Sequence, residues 1–106
     1  MVFSLYSLVV MKREEYLVYC LLYAIDAANV KKQNLVQMSL KVDTVSFVNI
    51  YNIIQQHDEA ARKNIIASMQ TNFNKNELIE EIRNTFLTDL DMSIQESIVE
   101  VLNINL

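Results

Sequence analysis

The chain has no glycine and no proline in 106 residues, where average usage of about 7% and 5% predicts roughly a dozen of the two together. Phosphate-cradling loops and dinucleotide fingerprints need a residue without a Cβ at their tight turns, so P-loop and Rossmann chemistry are excluded on steric grounds. Connections must be turned by residues that tolerate left-handed backbone or cap helices, and asparagine and aspartate stand at the expected breaks. An all-helical protein with short connections needs glycine least. Tryptophan is absent, and there is one cysteine, Cys20, and one histidine, His57. A single thiol makes no internal disulfide, and a single imidazole makes no paired zinc site and has no second histidine as general base. Cys20 lies in the apolar run YLVYCLLYAI, where burial raises a thiol's pKa and blocks substrate. His57 reads as a polar residue at a helix end. No catalytic residue and no cofactor-binding residue is assigned, and the chain reads as a non-enzyme.

What is present is enough to fold. Apolar residues make up 52% and charged residues 21%, far from the composition of disordered chains. The length suits one domain. A net charge of -4 and a pI near 4.8 argue against nucleic acid as partner, because affinity for phosphates depends on clustered lysine and arginine. The basic residues come as scattered pairs: Lys12 with Arg13, Lys31 with Lys32, and Arg62 with Lys63. The opening MVFSLYSLVV is apolar, but ten residues span only about 15 Å as a helix, half a bilayer core. It also lacks the basic region and cleavage site of a signal peptide. Residues 1–11 therefore read as an extension or docking segment ahead of a domain at 12–106, and the expected location is cytoplasmic.

Helical periodicity runs through that domain. Lys12 to Ala28 is apolar all round, as a buried helix is. Asp26 to Asn29 breaks it, and a short helix is expected over Val30 to Val42, with Leu35, Met38 and Val42 on one face. Asp43 caps a third helix with Phe47, Ile50, Tyr51 and Ile54 as its core stripe. Asp58 or a neighbour restarts the chain into EAARKNIIASM, whose apolar face is Ala61, Ile65, Ile66, Ala67 and Met69. Asn74 with Glu77 forms a capping-box pattern ahead of Leu78, Ile79, Ile82 and Phe86. A last helix carries Ile94, Ile98, Val101 and Leu102. Met38, Met69 and Met92 occupy positions that read as core. No alternating run argues for a sheet, so the expected fold is all-α, a bundle of about six short helices.

One stretch fits two rules at once. In DLDMSIQESIVE, Asp89, Asp91, Ser93, Gln95, Ser97 and Glu100 fall at positions 1, 3, 5, 7, 9 and 12 of a calcium loop. Ile94 stands where that loop needs glycine, however, and Glu96 where it has an apolar contact. As a helix start, Ser93 is the N-cap and Glu96 closes an S-x-x-E capping box, with Asp89 and Asp91 favourably placed before the positive end of the helix dipole.

The pattern IRNTFLTDLDMSIQESIVEVLNINL also resembles the second half of a TerB-like tellurite-resistance domain. There a helix ends in Asp, and the spacing Asp-x-x-aliphatic-x-x-x-Glu leads into the next. Asp89, Met92 and Glu96 match, and Leu90 replaces the family's glycine. YLVYCLLYAIDAANVKKQNLVQMSL echoes the first half, with Asp26 one place early and Asn34 where glutamate is expected. The resemblance implies a compact helical domain whose acidic loops bind divalent metal, often a module in membrane-associated stress or phage-defence systems. On this chain it carries the metal-facing role to Asp89 and Glu96, with Asp91 beside them, as a weak and degenerate site. The function expected is a TerB-like protein-interaction module without an integral membrane segment. The alternative is a small structural or regulatory protein of a phage or mobile element, self-associating through residues 1–10.

Overall fold

The structure, a computed structural model, describes residues 12–31, 41–69 and 72–106. These form five α-helices and, among the described residues, no strand. They are α1 (Arg13–Ala27), α2 (Thr44–Gln55), α3 (Glu59–Met69), α4 (Lys75–Ile82) and α5 (Met92–Asn105). α4 runs directly into a π-helical turn, Arg83–Leu87. The all-α expectation holds. Most of the helix expected over Val30 to Val42 lies outside the described residues, as does Met38. Val30, Lys31, Lys41 and Val42, which are described, are not helical.

α1 is the centre of the core, packed against α2, α4 and α5. Tyr16 through Ile25 are buried without a break. Three tyrosines at i, i+3 and i+7 put hydroxyls into this interior, and two of them tie α1 to α3. Tyr16 donates to the Ile66 carbonyl at 2.7 Å and Tyr23 to Glu59 Oε1 at 2.8 Å. Burying a hydroxyl costs little once it is hydrogen-bonded. Tyr16 also stacks on Phe73, with ring centroids 5.3 Å apart.

The breaks follow local chemistry. α1 ends in a Schellman motif: the Val30 amide reaches the Ile25 carbonyl, the Asn29 amide reaches that of Asp26, and both bonds are 3.1 Å. The left-handed residue this requires is Asn29, at φ 59°, the only positive φ among the described residues. That one position, filled by the residue next best to glycine there, ends α1 without glycine. Asp43 caps α2 by accepting the Ser46 amide at 3.0 Å, Asp58 accepts that of Ala61 at 2.8 Å, and Asn74 accepts that of Glu77 at 3.0 Å. The break near His57 is therefore real and belongs to Asp58.

The expected stripes need three corrections. Tyr51 lies at 37% exposure at the edge of α2, lining a surface cleft with Leu22 and Ile25 of α1, while Phe47, Ile50 and Ile54 are buried. Ala67 is exposed, leaving Ile65, Ile66 and Met69 as the buried face of α3. Met92 is 62% exposed, whereas Met69 is core. The α4 stripe of Leu78, Ile79, Ile82 and Phe86 is buried as expected.

Candidate functional site

The acidic stretch folds differently from either simple reading. α5 begins at Met92, and Asp91, not Ser93, occupies the N-cap position. Ser93 is inside the first turn, where its carbonyl accepts from Ser97 Oγ at 3.0 Å. The side chain that organises this turn is Gln95, buried, whose Nε2 donates to the Leu90 carbonyl at 2.9 Å. Leu90 is itself part of the core. Its amide bonds the Leu87 carbonyl at 3.0 Å, so the turn closes with ordinary backbone.

Asp89, Asp91 and Glu96 are all on the surface. Asp89 Oδ2 faces Lys41 Nζ at 2.8 Å, and the same ammonium reaches Thr88 Oγ1 at 3.3 Å. Among the described residues, no group of three or more histidine, cysteine or carboxylate side chains is placed to hold a metal ion. The structure thus gives Asp89 an ammonium as partner.

Cys20 is buried, and burial pushes its thiol up to about 12. Such a thiol is not ionised at neutral pH. Burial likewise raises the Tyr16 and Tyr19 hydroxyls and lifts Tyr23 to about 12, the Glu59 carboxylate reinforcing the last. His57, half-buried in the turn between α2 and α3, is shifted down by burial and then by Arg62, against a smaller opposing pull from Asp58. Arg62 fastens that corner, its Nε donating to the Ile54 carbonyl at 2.9 Å and its Nη1 to Asp26 Oδ2 at 2.8 Å. Nucleophile, base and substrate access do not converge there.

Several clefts open among the described residues, and the one with the most apolar lining, of about 320 Å³, lies at the N-terminal ends of α1 and α2. Leu17 and Val18 of α1, Ile50 of α2, Val42 ahead of α2 and Phe86 of the π-turn supply its apolar lining. Thr85, also of the π-turn, borders it. A π-turn inserts a residue into the helical ladder and changes which side chains face a neighbour, and such turns recur at functional sites. The Lys41 to Asp89 pair fastens the segment before α2 to the segment after the π-turn, so the acidic stretch holds the cleft's edge. Sequence reading missed this cleft because its wall comes from three separated segments. The π-turn leaves no composition signal.

A second surface is the outer side of α2. Val45 is 66% and Val48 48% exposed. The helix TVSFVNIYNIIQ has no aspartate, glutamate, lysine or arginine. Among the described residues no helix is long and apolar enough to cross a membrane.

Comparison of the chain with models of protein families, with curated proteins and with solved structures gave no match.

Proposed function

We propose that the chain is a non-enzymatic helical interaction module that docks a protein segment in the cleft between α1, α2 and the π-turn. The observation that carries this is the cleft's construction. An apolar floor opens at the surface with the Lys41 to Asp89 ion pair at its edge, and among the described residues its lining holds no cysteine or histidine to pair as nucleophile and base. The cleft is at the low end of the range of about 300–1,000 Å³ typical of ligand pockets, a size suited to a few anchor side chains of a partner. The TerB-like relationship remains part of the proposal, resting on the spacing of Asp89, Met92 and Glu96. The test is calorimetric titration with short amphipathic helical peptides, on the wild type and on Val42→Ser, which makes the half-buried rim of the floor polar. Binding weakened by Val42→Ser with the melting temperature retained supports docking in the cleft; absence of binding by every such peptide counts against it.

The second reading is self-association, favoured by the uncharged outer side of α2 with Val45 and Val48 at the surface. Sedimentation velocity on wild type and on Val45→Lys with Val48→Lys distinguishes it. A dimer dispersed by the two lysines supports this reading, and a monomer at all concentrations removes it. The arm expected in residues 1–10 lies outside the described residues.

A further inference from the structure

The docking cleft is apolar at its floor and acidic around it. Its lining includes the carboxylates of Glu14, Glu15, Asp43 and Glu81, and Lys41 as the single basic residue. Two of these charges are already matched. Glu81 pairs with Arg13, and Lys41 pairs with Asp89, which stands outside the lining. Glu15 accepts the backbone amide of Lys12 at 3.1 Å, a bond that leaves its negative charge in place. Asp43 accepts the amide and hydroxyl of Ser46 and remains exposed, as does Glu14. Among the described residues, Glu14, Glu15 and Asp43 have no side-chain cation within ion-pair distance. They belong to three neighbouring positions around one apolar floor: the first turn of α1 supplies two, and the N-cap of α2 supplies the third.

Resting on the docking proposal, we infer that the partner segment is basic and amphipathic, a helix with aliphatic anchors on one side and lysine or arginine flanking them. The anchors sit over Leu17, Val18, Val42, Ile50 and Phe86, which gives the contact its apolar burial. The flanking cations face Glu14, Glu15 and Asp43, which speeds association and selects against neutral or acidic segments of the same shape. The whole chain's net charge of -4 acts in the same direction at longer range. The chain's own apolar opening, MVFSLYSLVV, has no lysine or arginine and does not meet this description.

The experiment uses two synthetic helical peptides with identical leucine positions, one with lysine and one with glutamine at the flanking sites. Each is titrated calorimetrically into the full chain and into the double variant Glu14→Gln with Asp43→Asn. Asparagine caps a helix as well as aspartate does, so that variant keeps the start of α2 intact. The expected result is binding of the lysine peptide that weakens as salt is raised and falls about tenfold in the double variant, with the glutamine peptide weaker on the wild type by a similar factor. Equal, salt-insensitive binding of both peptides overturns the basic partner and leaves the docking proposal standing. Equal binding of the lysine peptide to wild type and double variant places it elsewhere on the acidic surface and also overturns it. Binding of neither peptide removes both proposals.

Discussion

α1 and α2 are both apolar helices, and the structure uses them in opposite ways. α1 has two glutamates in its first turn and three tyrosines along its length, yet Tyr16 through Ile25 are enclosed on every side. α2 has no charged residue, yet only Phe47, Ile50 and Ile54 are buried, and valines stand in water. Apolar content alone did not decide which helix was engulfed. Two of the tyrosines of α1 find acceptors on α3, Tyr16 the Ile66 carbonyl inside the core and Tyr23 the surface carboxylate of Glu59. α2 is left as a wall, with a cleft along one flank and a bare side facing out.

The sharpest way to break that contrast is truncation. Leu21→Ala, at a fully buried position of α1, should cost about 2–5 kcal/mol in urea denaturation. Val48→Ala on the outer side of α2 should stay within about 0.5 kcal/mol. A loss at Val48 comparable to that at Leu21 would mean the outer side of α2 is covered in solution.

A second contrast lies within α1. Tyr16→Phe leaves the Ile66 carbonyl without its partner and should cost about 1–3 kcal/mol. Tyr19 is just as buried, but its hydroxyl has no partner among the described residues. Tyr19→Phe should therefore be neutral or stabilising in the same denaturation experiment. Equal losses at the two positions would show that Tyr19 has an acceptor too, such as a buried water.

Most of the helical frame was legible because caps and stripes are local. Asp43 and Asn74 act at the positions their chemistry marks, and Asp58 does the same at the break near His57. The last helix was misread at its start because S-x-x-E is a good capping pattern two residues beyond the position, Asp91, that the fold uses. What settles the register is Gln95 turning inward to the Leu90 carbonyl, a tertiary event that a polar residue does not announce. Tyr51 fitted the α2 stripe by spacing, and only the position of α1 beneath the helix leaves it half out. The cleft was illegible for a related reason: Leu17, Val42 and Phe86 are far apart in the chain, and only the packed fold makes them one surface.

A smaller effect tests the corner between α2 and α3. Burial and Arg62 hold the His57 pKa below the ordinary 6.5, so in the folded state the imidazole resists protonation. The unfolded chain then binds more protons below that pH, and stability must fall as pH drops through 6.5 toward the depressed folded value. Above 6.5 both states are neutral at this position and the contribution is flat. His57→Gln should remove this part of the acid sensitivity, visible as wild-type and variant melting temperatures that run parallel above pH 6.5 and diverge below it. Parallel behaviour throughout would mean that His57 is as solvated folded as unfolded.

The smallest expected effect concerns the edge of the cleft. The Lys41 to Asp89 pair is 2.8 Å long, but the Asp89 side chain is 66% exposed, so water and salt screen it. A double-mutant cycle with Lys41→Ala and Asp89→Ala should give a coupling of about 0.2–1 kcal/mol that shrinks as salt is raised. Because Asp89 already has an ammonium and Asp91 and Glu96 do not join it in a cluster, calcium, magnesium or manganese should leave the wild-type melting temperature unchanged. A rise with one of these ions that disappears in Asp89→Ala with Glu96→Ala would reverse the assignment. Asp89 would then exchange its lysine for a metal, and the segment that now holds the cleft's edge would become a ligand loop able to loosen it.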